Sequence, residues 1–199
     1  IMGHKYSDLD SVGAAFGLYY ALRDTYEVKL VVNKQQTLAR PLVDFLRFSD
    51  KECQIYDYEE IADTVDDDSL LIVVDTHRSG IVESKAVLEA AKQIVLFDHH
   101  RQSPDAIDHA VLTYHEAYAS STAELITEMI QHIGKKVKLK SIEADALLAG
   151  ITVDTKNFAV KTGAITFEAA GFLRRNGADS IRVRMLFQND IESYKAKAA

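Results

Sequence analysis

Acidic residues and histidines follow three short apolar runs of the sequence. The first run ends at His4, the second at Asp75, and the third at Asp98, His99 and His100. Short apolar runs are typical of buried parallel strands, and the carboxyl ends of such strands meet at one edge of a sheet. The spacing therefore predicts that all three groups converge in one crevice.

Three more carboxylates join this set. Asp8 and Asp10 lie on the turn after the first run, and Asp154 ends an apolar stretch in the second half of the chain. A carboxylate in so apolar a stretch needs a partner, and crowded carboxylates cannot all stay ionised without cations nearby. Two divalent ions would balance the charges of Asp8, Asp10, Asp75 and Asp154.

The donor types indicate which ions would bind. The candidate ligands are His4, Asp8, Asp10, Asp75, His99 and Asp154. Carboxylates and imidazoles without a thiolate favour Mn²⁺, and favour Mg²⁺ or Fe²⁺ less. Two metal ions about 3.5–4 Å apart clamp a phosphoryl group and deprotonate a water molecule.

The charge of the chain limits its partners. A formal net charge of −7 argues against a basic face that grips long nucleic acids. Bound cations would then supply the positive charge that a phosphate substrate needs.

Each candidate taken alone has a simpler explanation. Asp8 or Asp10 fits a helix N-cap, while Asp75 fits a turn and His4 a polar loop. Several such clusters at one edge of one sheet are hard to explain by coincidence, and their joint placement favours a functional site. Three other histidines are interpreted as surface or loop residues: His109, His115 and His132.

The first half of the chain alternates predicted strands with predicted helices. Strands are predicted at 28–33, 70–74 and 94–97, with Ile1 and Met2 as the remnant of a fourth. Helices are predicted at 12–22, 38–48 and 84–91. This alternation predicts an α/β fold, a doubly wound parallel sheet flanked by helices.

The second half is predicted to be mainly helical. An extended piece at 110–114 precedes a helix with a capping box of Ser121 and Glu124, which Gly134 ends. Two further helices are predicted at 142–153 and 164–175. No apolar run reaches the roughly 18 residues of a membrane span.

The two ends of the sequence predict a fragment of a longer protein. The chain opens as if inside a buried strand, and it stops in a stretch rich in Lys and Ala. We expect a catalytic domain over 1–190 and, over 191–199, the start of a linker to a further domain that binds substrate.

Four segments resemble the motifs of the DHH phosphoesterases. The segment 3–15 resembles the first motif, 74–78 the second, and 150–155 the fourth, while Asp98-His99-His100 matches the third motif, which gives the family its name. All four occur in order, and the resemblance covers nearly the whole chain.

Two further segments narrow the resemblance. The segments 118–124 and 154–158 look like those of the GdpP-type cyclic di-AMP phosphodiesterases. The resemblance implies hydrolysis of cyclic di-AMP to the linear dinucleotide pApA by a metal-activated water, with two Mn²⁺ ions as cofactors.

The resemblance also implies ligand sets for two ions. One ion would be held by His4, Asp8 and Asp75. The other would be held by Asp10, Asp75, His99 and Asp154, so that Asp75 bridges the two. Asp75, His99 and His100 are the residues expected at the reaction itself.

Other roles follow from the same resemblance. His100 would face the phosphate, and Asp98 would orient the histidines. Arg101 is a candidate phosphate contact, as are Ser120 and Ser121 at a predicted helix start, where exposed N–H groups favour anions.

The chain departs from the family pattern in one respect. Family members carry a second, smaller domain with a Gly-Gly-Gly-His-type motif, and this sequence has no such motif. We therefore expect Mn²⁺ binding but poor hydrolysis from this chain alone. The resemblance implies a cytoplasmic domain that makes no membrane contact itself, in a protein anchored through upstream segments; a homodimer is left open.

Three alternatives remain at this point. One is a DHH-type nuclease or nanoRNase for short oligonucleotides or pApA, or an exopolyphosphatase or pyrophosphatase. Another is a haloacid-dehalogenase-like phosphatase, because Asp8 and Asp10 fit its Asp-x-Asp motif by letter. The third is a non-catalytic domain that senses a nucleotide.

Overall fold

A parallel sheet forms the centre of the protein, for which a computed structural model describes residues 1–133 and 138–187. Its strands are β1 (Leu30–Val31), β2 (Ile55–Tyr56), β3 (Leu70–Val74), β4 (Gln93–Asp98) and β5 (Leu112–His115). Every strand pair is parallel: β1 with β2, β3 with β4, and β4 with β5. Met2 joins the two sets through parallel bridges to Val31 and Val73.

The strand order places a crevice at the centre of the sheet. Across the sheet the order is β2, β1, the Met2 segment, β3, β4 and β5. The chain first adds strands on one side of Met2 and then returns to add β3 on the other side. Ligands of open parallel sheets bind at such a switch point, beyond the carboxyl ends of the strands. The predicted α/β doubly wound sheet is confirmed.

Helices cover both faces of the sheet. They are α1 (Leu9–Leu22), α2 (Arg40–Ser49), α3 (Tyr58–Ile61), α4 (Lys85–Ala90), α5 (Thr122–His132), α6 (Ser141–Asp154) and α7 (Ala164–Arg175). Residues 180–187 are also helical. On β3, Ile72 and Val74 face a core formed with α1, α2 and α5–α7, whereas Leu71 and Val73 face a second core with α3 and α4.

Close packing of α1 on α6 brings together two helices that carry candidate ligands. A Cβ on Gly13 would lie only 2.4 Å from the backbone oxygen of Ala146, and one on Gly17 would lie 2.7 Å from the Leu147 side chain. Only glycine permits this approach, because any side chain would push the helices apart. Asp10 at the start of α1 and Asp154 at the end of α6 thereby reach the same site.

Most element boundaries agree with the prediction within a few residues. The helix 164–175 is confirmed as α7 and the strand 70–74 as β3, whereas β1 is shorter than predicted and α1 begins at Leu9, behind the cap of Asp8. The short elements β2 and α3 were missed. The predicted helix stop at Gly134 and the linker at 191–199 lie outside the described residues. Across the described parts, every helix is too short or too polar to span a membrane.

Candidate metal centre

Asp75 lies at the centre of the site, directly after β3. Its φ of 61° is in the left-handed region, which is uncommon for a residue with a side chain and is often found at functional sites. Its backbone N–H donates to Phe97 O at 2.8 Å, which fixes the turn against β4. The side chain is only 2% exposed. The strand end thus holds a buried carboxylate in one orientation.

The two oxygens of Asp75 face different histidines. Oδ2 lies 3.3 Å from His4 Nε2, and Oδ1 lies 3.5 Å from His99 Nε2. His4 is held by a 2.7 Å contact between its Nδ1 and the backbone oxygen of Lys5, which leaves Nε2 directed at Asp75. One carboxylate therefore contacts a histidine from each of two groups of potential ligands.

The first group consists of His4, Asp8 and Asp75, whose ligand atoms all lie within 4.8 Å of one another. Asp8 is the N-cap of α1: its Oδ1 accepts from the backbone N–H groups of Asp10 and Ser11 at 3.0 and 3.1 Å. The same oxygen lies 3.9 Å from His4 Nε2. The N-cap alternative is thus confirmed for Asp8, and the cap is what positions it beside His4.

The second group consists of Asp10, His99 and Asp154, again with ligand atoms within 4.8 Å. His99 Nε2 lies 3.1 Å from Asp154 Oδ2 and 3.7 Å from Asp10 Oδ2. This nitrogen is buried and has no hydrogen-bond partner. Buried polar atoms rarely lack a partner, so a nitrogen aimed into a cluster of carboxylates indicates a place for a cation.

Asp10 is held by the beginning of α5 and is not an N-cap. Its Oδ2 accepts from the backbone N–H of Thr122 at 2.7 Å, and its Oδ1 accepts from that of Ala123 at 2.8 Å. The partial positive charge of a helix N-terminus stabilises such a buried carboxylate. Thr122 also donates its hydroxyl to Asp75 Oδ1 at 3.1 Å. The start of α5 thus supports both central carboxylates.

Burial and mutual repulsion make it unfavourable for all carboxylates of this cluster to be ionised. Burial and the nearby Asp75 and Asp154 raise the pKa of Asp10 well above its usual value. Burial and the nearby Asp8 raise the pKa of Asp75 in the same way. Burial lowers the pKa of His99, but the adjacent carboxylates of Asp154 and Asp10 outweigh it, so the net shift is upward. Without a cation, full ionisation of the cluster is therefore disfavoured.

Asp98 sits behind the cluster and contacts two histidines. Its Oδ2 contacts His77 Nδ1, and its Oδ1 accepts from His100 Nδ1 at 2.8 Å. Burial would raise the pKa of Asp98, but the hydrogen bonds from His100 and His77 lower it below the usual range. An ionised Asp98 therefore holds His77 and His100, whereas His99 extends into the second group of ligands.

A cleft of about 1380 Å³ opens in front of the candidate ligands. His100, 54% exposed, and Arg101 line one part of it. Tyr118 stands at another part of the wall with 97% of its surface exposed, and the loop 159–163 completes the lining. The cleft is large enough for a ligand of dinucleotide size, since ligand pockets usually measure about 300–1,000 Å³.

The prediction that Ser120 and Ser121 contact a phosphate was wrong. Ser120 and Ser121 are fully buried; Ser120 contacts Glu124, and the Ser121 hydroxyl accepts from the Glu124 N–H at 3.0 Å. The start of α5 faces Asp10, so these serines do not reach the cleft. Because the Glu124 carboxylate turns to Ser120 rather than to the N–H of Ser121, the capping box is only half formed.

The sequence interpretation assigned no role to His77 and placed His115 on the surface or in a loop. His115, expected on the surface, ends β5, is half-buried and contacts the backbone oxygen of His100. His77 is buried behind Asp98. Its position two residues after Asp75 was the available signal. The exposed positions of His109 and His132 are confirmed.

The residues present fit divalent metal cations. Four carboxylates and two imidazoles meet in a small, largely buried volume, one imidazole nitrogen has no hydrogen-bond partner, and the raised pKa values of Asp10 and Asp75 agree with crowded negative charge. Oxygen and nitrogen donors of this kind suit Mn²⁺ and neighbouring ions.

Comparison with known proteins identifies the family. The model of the DHH family, N-terminal domain, matches residues 1–151. The chain belongs to the DHH family. Among its relatives, the cyclic-di-AMP phosphodiesterase GdpP of Geobacillus thermodenitrificans is 43% identical, and that of Bacillus subtilis is 39% identical. Each match covers 100% of this chain and 31% of the relative. This DHH chain thus spans about a third of the length of these relatives.

A solved structure shares the fold. An exopolyphosphatase-related protein from Bacteroides fragilis superposes with a TM-score of 0.76 at 21% sequence identity, covering 94% of this chain and 55% of that one. At this identity the likeness concerns the fold alone. It agrees with the α/β architecture of the DHH chain described above.

Proposed function

We propose that this chain is the metal-binding part of a phosphodiesterase that hydrolyses cyclic di-AMP to pApA with two Mn²⁺ ions. The observation that carries the proposal is the position of Asp75. Its two oxygens lie 3.3 Å from His4 Nε2 and 3.5 Å from His99 Nε2. A carboxylate placed between two ligand groups suits a bridge between two cations, which is the arrangement of two-metal phosphoryl chemistry.

The names of the relatives support the choice of substrate. Two relatives that match over the whole chain are named cyclic-di-AMP phosphodiesterases. The acidic character of the chain, with a net charge of −7, disfavours long single strands, which need a basic groove. A small cyclic dinucleotide fits the cleft and places few phosphates near the acidic surface.

Each of the two ligand groups would bind one of the two metal ions. His4, Asp8 and Asp75 would hold one ion. The group of Asp10, His99 and Asp154, with Asp75 as the shared member, would hold the other. When bound, the ions supply Lewis-acid polarisation of the phosphate and activation of a water molecule.

Residues of the chain orient the reacting groups. Asp75 is fixed by its turn and by Thr122, so it does not have to reorganise when the substrate binds. His100 presents Nε2 towards the cleft, because its Nδ1 is engaged with Asp98. In its protonated form Nε2 could donate to the leaving 3′-oxygen, and the carboxylate of Asp98 would stabilise the charged ring. Arg101, at the cleft wall, would contact a phosphate.

The test compares three substrates at equal concentrations with Mn²⁺: cyclic di-AMP, pApA and pyrophosphate. The proposal expects cyclic di-AMP to be cleaved with a higher kcat/KM than the other two and to give pApA. His100→Ala should lower kcat for cyclic di-AMP by about 100-fold or more, as expected for loss of a proton donor. A preference for pyrophosphate or pApA would replace the proposed substrate, and binding of cyclic di-AMP without turnover would indicate a sensor.

The same assay tests the expectation for this chain alone. It should bind Mn²⁺ yet cleave cyclic di-AMP slowly, whereas a version extended to the length of the relatives should be fast. Full activity of the 199 residues would contradict the need for a further substrate-binding domain.

A further inference from the structure

A buried network connects His77 to His100. His77 Nδ1 contacts Asp98 Oδ2, and the opposite oxygen of Asp98 accepts from both the ring Nδ1 and the backbone N–H of His100, at 2.8 and 3.2 Å. His77 is 4% exposed and Asp98 is completely buried. One carboxylate is therefore shared by a buried histidine and by the histidine that lines the cleft.

The hydrogen bonds determine which nitrogen of His77 carries its proton. Nε2 accepts the backbone N–H of Ser103 at 2.9 Å, so this nitrogen is unprotonated. The proton of the neutral ring is then on Nδ1, where it is donated to Asp98. Donation by His77 occupies one oxygen of Asp98 and prevents the carboxylate from turning. The other oxygen stays aligned with His100.

His77 is itself held from several sides. Its backbone oxygen accepts from the N–H of Ile107 at 2.8 Å. The ring of His115 packs at 5.0 Å between centroids, and His115 Nε2 contacts the backbone oxygen of His100. A ring with so little freedom transmits its position to Asp98.

We propose that His77 is a positioning residue for His100, acting through the carboxylate of Asp98. The network keeps the proton of the neutral His100 ring on Nδ1 and directs Nε2 into the cleft. This inference rests on the proposed function, because it assigns His77 to the same phosphodiesterase reaction. His77 itself does not touch the substrate.

A simpler role for His77 is to tether the loop that follows β4. Ser103 N–H and Ile107 N–H both bind His77, so the residue also secures the segment next to Arg101. The two roles use different atoms of the ring. Positioning of His100 uses Nδ1, whereas the side-chain tether uses Nε2.

Two substitutions separate these atoms. His77→Asn can place an amide N–H near the position of Nδ1 and keep the contact to Asp98. His77→Gln can place an amide oxygen near the position of Nε2 and keep the contact to Ser103. The proposal expects His77→Gln to lower kcat on cyclic di-AMP by about 10- to 100-fold, the usual effect of losing a residue that orients a site residue. His77→Asn should stay within about threefold of the unaltered protein, and KM should change little in both.

A double-mutant comparison tests whether His77 affects kcat through His100. In a His100→Ala background, His77→Gln should cause almost no further loss, because the residue on which it acts is gone. An equal loss in both backgrounds would overturn the proposal, as would a larger loss for His77→Asn than for His77→Gln. Metal content should be the same in all these proteins, and a drop in His77→Gln would likewise contradict a role confined to His100.

A spectroscopic measurement does not depend on the reaction. Ring ¹⁵N shifts of the Mg²⁺-loaded protein, recorded at a pH high enough to keep the His100 ring neutral, should show the single ring proton of His100 on Nδ1 and not on Nε2, and the same pattern in His77→Asn. In His77→Gln the pattern should change to a mixture of the two forms. An unchanged pattern would overturn the proposal even if the protein cleaves no cyclic dinucleotide, and a change would support it even if the substrate assignment fails.

Discussion

Gly150 of α6 packs directly against Asp10 of α1. A Cβ at Gly150 would lie 2.8 Å from Asp10 Oδ1 and 2.7 Å from the Cβ of Ala123. Asp10 accepts the N–H of Ala123, so the contact fixes the carboxylate between two helices. The absence of a side chain at position 150 is thus a requirement of the candidate metal centre.

Gly150→Ala should therefore damage the metal site as well as the packing. We expect a loss of about 1–3 kcal/mol in the free energy of unfolding, as for overpacked cores, and a weaker affinity for Mn²⁺. The measurements are thermal unfolding and metal titration. Gly171→Ala in α7 is the control, because its Cβ would come no closer than 3.5 Å to Arg175 and Ala favours a helix by about 0.5–1 kcal/mol. Equal Mn²⁺ affinity in both variants would contradict the role given to Gly150.

The metal-free protein should lose stability as the pH rises. The pKa of Asp10 and of Asp75 is raised well above the usual value of an aspartate, and the pKa of His99 is raised above the usual value of a histidine. A group whose folded-state pKa is raised stabilises the folded protein below its unfolded pKa, and this stability is lost as the pH rises through the folded-state pKa. All three groups thus act in the same direction, and the metal-free protein should lose stability as the pH rises above about 4.

The measurement is the Tm of the EDTA-treated protein at pH 5 and at pH 8, with and without Mn²⁺. Without metal, the Tm should be higher at pH 5. Mn²⁺ should raise the Tm more at pH 8, because metal ligands must be deprotonated. Asp75→Asn, which cannot ionise at this position, should show a weaker pH dependence. A metal-free Tm that increases towards pH 8 would show that the carboxylates are not crowded as described.

Tyr118 should contribute to nucleotide binding by stacking on a base. Its ring is 97% exposed at the cleft wall, while its backbone N–H donates to Glu116 Oε1 at 3.0 Å and holds the loop. Stacking of a base on an aromatic ring contributes about 1–3 kcal/mol. Tyr118→Ala should therefore raise KM for cyclic di-AMP by about tenfold, whereas Tyr118→Phe should change it little.

A phosphodiester substrate without a nucleobase provides the comparison for Tyr118. The KM for methyl p-nitrophenyl phosphate should be the same in Tyr118→Ala and in the unaltered protein. Tyr26→Ala, at an exposed tyrosine that does not line the cleft, should leave both substrates unaffected. An unchanged KM for cyclic di-AMP in Tyr118→Ala would exclude the stacking role.

The sequence predicted the positions of residues at strand ends well. His4, Asp75 and His99 come together because the carboxyl ends of parallel strands share one edge, and alternation of strands and helices makes that edge predictable. Asp154 could be identified from the mismatch between a carboxylate and its apolar neighbours.

Contacts between distant helices could not be predicted in the same way. Ser120 and Ser121 looked like an exposed helix start, but α5 turns its N–H groups towards Asp10. The roles of His77 and His115 likewise depend on how β5 and the loop after β4 pack on Asp98. Such partners lie far apart in sequence, and no local pattern specifies which side chain will occupy a helix N-terminus.

The most direct test of the central claim is the metal content of the protein after Mn²⁺ loading, by elemental analysis of the unaltered chain beside Asp75→Ala. Asp68→Ala is the control, because Asp68 is an exposed acid in the turn before β3. We expect about two ions per chain in the unaltered protein and in Asp68→Ala, and a sharp fall in Asp75→Ala, since Asp75 is proposed to bind both ions. Two ions retained by Asp75→Ala would contradict the bridging role of Asp75.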